Sequence, residues 1–207
     1  SFSILFAIIS LITIGAMIPP LRSSDYKSKI SWDWKKFSKK KIKLSSFMFY
    51  NGFISEILKV VFPIFIFYNL GNLVALGELG SIFAVGTFIV TIAIGKYSDR
   101  FGKKLLIKMA GIVFFLGLLL AVSANNMYSL TIVAIILGLG SSLLKVPLFA
   151  LETNEARKHP TEFMALREMI IRLGMATAAF ILLITGDMSL IFLCGAIASG
   201  FIILKKI

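Results

Sequence analysis

Long apolar runs constrain this chain more than any other feature of its sequence. Seven of them recur along the 207 residues, each about the length needed to cross the hydrocarbon core of a bilayer. Because that core holds no water to bond backbone amides, apolar runs of this length are expected to be helices. The predicted spans are roughly residues 2–21, 47–70, 73–95, 104–124, 128–150, 163–185 and 188–204.

The composition supports a membrane protein and argues against the other classes. The chain is 58% hydrophobic and 15% charged, and its mean hydropathy is +0.93. Too little polar sequence is left to cover a water-soluble core, and the strand alternation of a membrane barrel is absent. We therefore expect an all-α polytopic membrane protein with seven transmembrane helices.

The basic residues of the connections predict the orientation of the chain. Basic connections alternate along the sequence with connections that carry no Lys or Arg. The basic ones are 22–46, 96–104, 151–162 and the C-terminus, and the others lie near 71–72, 125–127 and 186–187. The positive-inside rule makes the basic side cytoplasmic, so we expect the N-terminus outside and the C-terminus in the cytoplasm, in a bacterial-type plasma membrane. The net charge of +12 follows this pattern, and we expect no nucleic-acid partner.

The connection 22–46 is long, carries nine basic residues and interleaves them with Trp32, Trp34 and Phe37. One interpretation is a short interfacial helix on an anionic leaflet, with its indoles at the level of the headgroups. The alternative is a flexible, solvated linker. In either case it divides the chain into a leading helix, 1–21, and a six-helix bundle, 47–207.

A charged segment between the third and fourth predicted spans carries the pattern G-x-x-x-D-R-x-G-K-K. Its defining residues are Gly95, Asp99, Arg100, Gly102, Lys103 and Lys104. We expect Gly95 and Gly102 to bracket a tight turn and Asp99 to lie at the start of the following helix, where it can cap free amides. Arg100 can pair with a carboxylate or with the last carbonyls of a neighbouring helix. Such a cluster can break and re-form when helix bundles rock, so we interpret it as a conformational latch.

These six residues resemble the signature loop of the major facilitator superfamily. That resemblance implies two six-helix halves, with the signature after helix 2 and often again after helix 8. Here the pattern follows the third span and the long basic connection follows the first. The chain therefore resembles helices 6 to 12: 1–21 would be helix 6, 22–46 the interdomain loop and 47–207 the C-terminal bundle.

The same resemblance implies secondary active transport by alternating access. It suggests proton coupling and the efflux of a small organic compound, and it makes an N-terminal half the missing partner. The substrate is not readable from the sequence. The rival interpretation is a complete seven-helix receptor or assembly scaffold without transport activity.

Ionisable residues inside spans are costly and are therefore functional candidates. Glu56 and Lys59 share a helix face near the bilayer midplane, and Arg172 lies at a similar depth. One hypothesis is a titratable cavity site in which Glu56 carries the coupling proton. The alternative is a structural salt-bridge network. Secondary candidates are Lys145, Glu168 and Glu78. Lys145 lies near a predicted helix end, from which we expect its side chain to snorkel.

The sequence offers little for catalysis or for a cofactor. It has no P-loop, no pairing of Ser with His at membrane depth and one histidine, His159, without metal-ligating companions. Its one cysteine, Cys194, cannot form an intrachain disulfide. We expect neither an enzyme nor a cofactor nor a metal site.

Overall fold

A computed structural model describes residues 39–156 and 160–204, with side chains at 44–96, 102–156 and 163–204. This part of the chain is helical apart from short connections. The elements are α1 (Lys39–Glu56), a π-helical segment (Ile57–Val61), α2 (Phe62–Leu70), α3 (Leu73–Phe101), α4 (Lys103–Ser123), α5 (Met127–Ala156), α6 (Pro160–Thr185) and α7 (Met188–Leu204).

The helices confirm a polytopic, all-α membrane protein. Within the described ranges, five helical segments are long and apolar enough to cross a membrane, and α7 is a shorter apolar helix. They correspond to the second to seventh predicted spans. The first predicted span, 2–21, and residues 22–38 of the basic connection lie outside the described residues.

Three helices are longer than the hydropathy pattern predicts. The first begins at Lys39 rather than at 47, α3 ends at Phe101 rather than at 95, and α5 reaches Ala156 rather than 150. The added residues are mostly Lys, Ser, Glu and other polar residues that a helix tolerates. Low hydropathy marks where a helix leaves the hydrocarbon and does not mark where its hydrogen bonds end.

The connections without basic residues are two or three residues long and are built from capping signals. Gly71 and Gly186 have φ of 60° and 62°, the left-handed conformation that commonly ends helices. The side chains of Asn72 and Asp187 then accept hydrogen bonds of 2.8 Å from amides at the start of the next helix. Connections this short make consecutive helices run in opposite directions, and of the three pairs that they join only α4 and α5 pack extensively against each other.

The helix that contains Glu56 and Lys59 changes its hydrogen bonding near its middle. Residues Ile57–Val61 are π-helical, and the amide of Phe62 donates to the carbonyl of Ile57. Pro63 has no N–H to give to the carbonyl four residues earlier, that of Lys59. A π-helical turn at this point lets the helix continue past the proline.

Packing divides the described helices into two groups. In one, α3 contacts α5, α5 contacts α4 and α4 contacts α7; in the other, α1 contacts α6. Contacts of α1 and α2 with α7 include a 2.7 Å hydrogen bond between Tyr50 and Ser199, and an edge-to-face ring pair of Phe65 and Phe192 with centroids 5.0 Å apart. The apolar core lies along these contacts and includes the fully buried Phe114.

The closest approach of helix backbones joins α1 to α6. A Cβ on Gly52 would overlap the carbonyl oxygen of Ile171, and a Cβ on Gly174 would overlap that of Phe49. Small residues let transmembrane helices approach to this degree. The crossing at Gly52 and Gly174 fixes which face of α6 turns towards α1.

Candidate functional site

A cleft of about 620 Å³ lies between α1, α3, α5 and α6. Polar and charged side chains line it, although apolar groups supply much of its surface. The lining residues on α1 and the π-helical segment are Asn51, Ser55 and Lys59, those on α3 are Thr87 and Thr91, those on α5 are Ser142, Lys145, Val146, Leu148, Phe149 and Glu152, and those on α6 are Arg167, Glu168, Ile171, Arg172 and Met175.

A chain of ion pairs runs along one wall of the cleft. The guanidinium of Arg167 donates from Nε to Glu152 Oε2 and from Nη1 to Glu168 Oε1, each at 2.6 Å. Arg172 Nε lies 3.8 Å from the other oxygen of Glu168. One arginine therefore connects two carboxylates, and the chain links α5 to α6.

Glu152 is the buried member of this chain of ion pairs. Its side chain is 3% exposed, against 54% for Glu168. Its Oε1 atom has no hydrogen-bond partner among the described residues. An unpaired oxygen on a buried carboxylate is costly, and polar groups of this kind usually mark a functional requirement.

Hydroxyl groups cover the wall between α3 and α5. Thr91 Oγ1 lies 2.9 Å from Ser142 Oγ, and the Ser142 hydroxyl donates to the carbonyl of Thr87 at 2.8 Å. The hydroxyl of Thr87 in turn donates to the carbonyl of Phe83. These bonds hold the two helices together and place short polar groups at the surface of the cleft.

Two lysines also line the cleft. Lys59 comes from the π-helical segment and Lys145 from α5, and they are close enough for their charges to repel each other. Neither forms an ion pair or a hydrogen bond within the described part of the chain. Both are exposed in the cleft rather than buried in the core.

The structure brings together most of the predicted intramembrane candidates. Lys59, Arg172, Lys145 and Glu168 all line the cleft. Lys145 is eleven residues before the end of α5, about 16 Å along its axis, but the residues after Ala150 form the polar extension of that helix. That Lys145 snorkels from near the end of the apolar part stays a prediction.

Two predicted candidates lie away from the cleft. Glu56 is not among the lining residues and, within the described side chains, forms no ion pair with Lys59 or Arg172. It lies one turn after Gly52, on the face of α1 that approaches α6. Glu78 is exposed near the start of α3 and is not among the lining residues.

The signature segment is arranged differently from its prediction. The turn is Gly102 alone, with φ of 77°, and Gly95 lies within α3, where no atom is within 4 Å of the position its Cβ would take. Asp99 and Arg100 belong to the last turn of α3, so the placement of Asp99 at the start of the following helix is wrong. Lys103 and Lys104 begin α4. The role of the segment as a latch stays a prediction.

Sequence reasoning missed the buried carboxylate. Glu152 had been assigned to a connection because the fifth predicted span ended at 150. A usable signal was present: Glu152 follows Lys145 by seven residues, two helical turns, which places both on one helix face. Recognising it required extending the helix beyond its apolar part.

The sequence that forms this bundle and its charged cleft matches a known protein family. The family model described as Major Facilitator Superfamily matches residues 44–205. This chain belongs to the major facilitator superfamily. The chain is therefore part of an integral, multi-pass membrane protein of this superfamily.

A curated relative supports the same class. Over 88 residues the chain is 32% identical to a protein named uncharacterized transporter from Buchnera aphidicola subsp. Schizaphis graminum (strain Sg). The matched segment is 42% of this chain and 22% of that relative. The matched segment thus covers less than a quarter of the length of that curated relative.

Proposed function

We propose that this chain forms the C-terminal half of a secondary active transporter that works by alternating access, together with one preceding helix. The observation that carries this proposal is the cleft between α1, α3, α5 and α6. It collects six charged side chains inside a bundle whose outer surface is apolar. Charges at this depth are expensive, so their convergence on one cleft favours a substrate pathway.

The burial of the helices supports the assignment to one half of a transporter. In α3 and α6, only 11% of the apolar window is buried inside the bundle, whereas the windows of the first helix, α4 and α5 are 44–56% buried. Both poorly buried helices line the cleft. A second, N-terminal half packed on α3 and α6 would close the cleft from the opposite side, and the signature segment at Gly102 would lie at the edge of that contact.

A comparison of two proteins tests this assignment. The full-length protein and the 207-residue chain alone are reconstituted in proteoliposomes loaded with a pH-sensitive dye. Each is then screened against small organic acids, amines and sugars. We expect compound-dependent proton movement with the full-length protein and none with the chain alone. Transport by the chain alone would contradict the half-transporter assignment.

We infer that the coupling proton is carried by a carboxylate of the cleft, and the geometry supports Glu152 over Glu56. A proton added to the unpaired Oε1 of Glu152 would turn a costly acceptor into a donor without breaking the bond between Oε2 and Arg167. The other charged groups that share the cleft with Glu152 are Lys59 on the first helix, Lys145 on α5, and Arg167, Glu168 and Arg172 on α6.

Matched amide substitutions in the full-length protein test the proton carrier. Glu152→Gln should abolish accumulation driven by a pH gradient while exchange of labelled for unlabelled substrate continues. Glu56→Gln should leave both activities close to those of the unmodified protein. If Glu56→Gln abolishes accumulation and Glu152→Gln does not, Glu56 carries the proton. If neither substitution abolishes accumulation, neither carboxylate carries it.

The direction of transport and the orientation of the chain stay predictions. We propose efflux, with the basic connections in the cytoplasm and anionic lipid at residues 22–46. Right-side-out and everted membrane vesicles distinguish uptake from efflux. Labelling of single cysteines placed in the connections at 71–72 and 186–187 from outside the cell tests the orientation.

A further inference from the structure

The cleft contains more cations than carboxylates. Its described lining residues include four cations, Lys59, Lys145, Arg167 and Arg172, and two carboxylates, Glu152 and Glu168, which gives a formal charge of +2. An excess of one sign in a low-dielectric site raises the local concentration of ligands of the opposite sign. The sign and size of this excess therefore bear on what the cleft binds.

Two of the cations lie near the middle of their apolar helices. Lys59 and Arg172 are each nine or more residues, about 14 Å, from either end of the apolar helical segment that carries them. A hydrocarbon core is about 30 Å thick, so these cations are at the depth where an uncompensated charge is most costly. Positive charge retained at this depth needs a compensating anion.

The carboxylates of the cleft do not provide this compensation. Both are engaged at 2.6 Å by one arginine, Arg167. Arg172 reaches Glu168 only at 3.8 Å and with 74% of its side chain exposed. Lys59 and Lys145 repel each other and have no carboxylate within ion-pair distance among the described residues.

We propose that the transporter carries a small organic anion, which Lys59, Lys145 and Arg172 bind in this cleft. Ammonium and guanidinium groups form strong, charge-assisted hydrogen bonds with carboxylates, phosphates and sulfonates. The volume of about 620 Å³ is in the range of small-molecule sites. The hydroxyls on α3 and α5 supply neutral hydrogen-bonding groups for the rest of the ligand. This inference rests on the proposed function, because it names the substrate class of the same cleft.

The charge of the cleft can be measured without knowing the substrate. A single cysteine is introduced by Met175→Cys, because Met175 lines the cleft one turn from Arg172 and makes no polar contact that the change would remove. The full-length protein, with Cys194→Ser and its other cysteines removed, is treated in detergent with two reagents that carry the same methanethiosulfonate group. One is the sulfonatoethyl anion and the other is the trimethylammonium-ethyl cation.

The expected result is a preference for the anionic reagent. The net charge of +2 in the cleft should raise the ratio of anion to cation labelling rates at least about tenfold over a neutral position. Asn125→Cys, in an exposed connection free of charged residues, supplies that neutral position. Replacing both lysines by Gln should reduce the preference, and replacing both by Arg should retain it.

Two results would overturn the proposal. A ratio at position 175 no higher than at position 125 would show that carboxylates from elsewhere in the assembled protein neutralise the cleft. An unchanged ratio in the Lys59→Gln, Lys145→Gln protein would show that the lysines do not set its charge. The comparison of positions 175 and 125 needs no lysine substitution, so it remains decisive if that variant does not fold. Because labelling requires no transport, its failure is distinguishable from a failure of the proposed function.

Discussion

The crossing of α1 and α6 gives the sharpest test of the fold. We predict that Gly174→Ala destabilises the protein, because the new Cβ would overlap the carbonyl oxygen of Phe49 and lie 2.9 Å from the amide nitrogen of Phe53. Ordinary contacts begin near 3.4 Å. Both obstacles are backbone atoms, which cannot rotate away as a side-chain end would, so α1 and α6 must separate.

The magnitude follows from the two opposing effects of the new methyl group. Overpacking costs about 1–3 kcal/mol, and a backbone obstacle places this site at the upper end. Replacing Gly by Ala within a helix returns about 1 kcal/mol. The expected net loss is about 2 kcal/mol in the free energy of unfolding, measured by titrating the full-length protein from mild detergent into dodecyl sulfate and following helical circular dichroism.

A double-mutant cycle sharpens the test. Gly52→Ala meets the backbone of Ile171 at the same crossing, so it should cost a similar amount. Once either methyl group has separated the helices, the second should cost less, and the pair should be sub-additive by about 0.5 kcal/mol or more. Gly200→Ala is the matched control, because no atom lies within 4 Å of its Cβ position in the described structure. If Gly174→Ala and Gly200→Ala have the same stability, the reasoning is refuted.

The remaining predictions use the same unfolding titration. Arg167→Ala should lower the free energy of unfolding by about 3 kcal/mol or more, because it leaves the buried carboxylate of Glu152 unpaired. Adding Glu152→Gln should recover most of the loss, and no recovery would contradict the pairing of Arg167 with Glu152. Gly102→Ala should cost about 1–3 kcal/mol because φ there is 77°, and a neutral result would mean that the turn can change its conformation. Tyr50→Phe should cost only about 0.6 kcal/mol, the mean for hydrogen bonds inside membranes, since Ser199 keeps a bond to its own helix; a loss above 2 kcal/mol would show a larger role for this pair.

The helices could be predicted because each one forms its backbone hydrogen bonds within itself. The connections after Leu70, Ser123 and Thr185 were located correctly, since glycine and short polar side chains mark helix ends wherever they occur. The errors lie at Lys39, Phe101 and Ala156, where polar residues extend a helix beyond the hydrocarbon. There the apolar run ends before the helix does.

The candidate site was predicted only in part, for a related reason. Lys59 and Arg172 were recognised because a charge in an apolar run stands out by itself, whatever its neighbours are. Glu152 was missed because it lies in the polar extension of α5, and Glu56, although predicted at a depth similar to that of Lys59, is not among the residues that line the cleft. The depth of a residue can be counted along its own helix, but whether its side chain faces the cleft depends on how the neighbouring helices pack around it.

The sequence by itself determined the membrane setting, the helices described here and the family of this protein. Hydrocarbon requires each span to bond its own backbone, so the information is local and is carried by composition and by short motifs such as G-x-x-x-D-R-x-G-K-K. The tertiary structure decided which charges meet. That choice depends on close approaches such as the one between Gly52 and Gly174, which rotate α6 so that Arg167 reaches Glu152 and four cations share one cleft. The approach of Gly52 to Gly174 joins residues more than a hundred positions apart, and no local pattern encodes it.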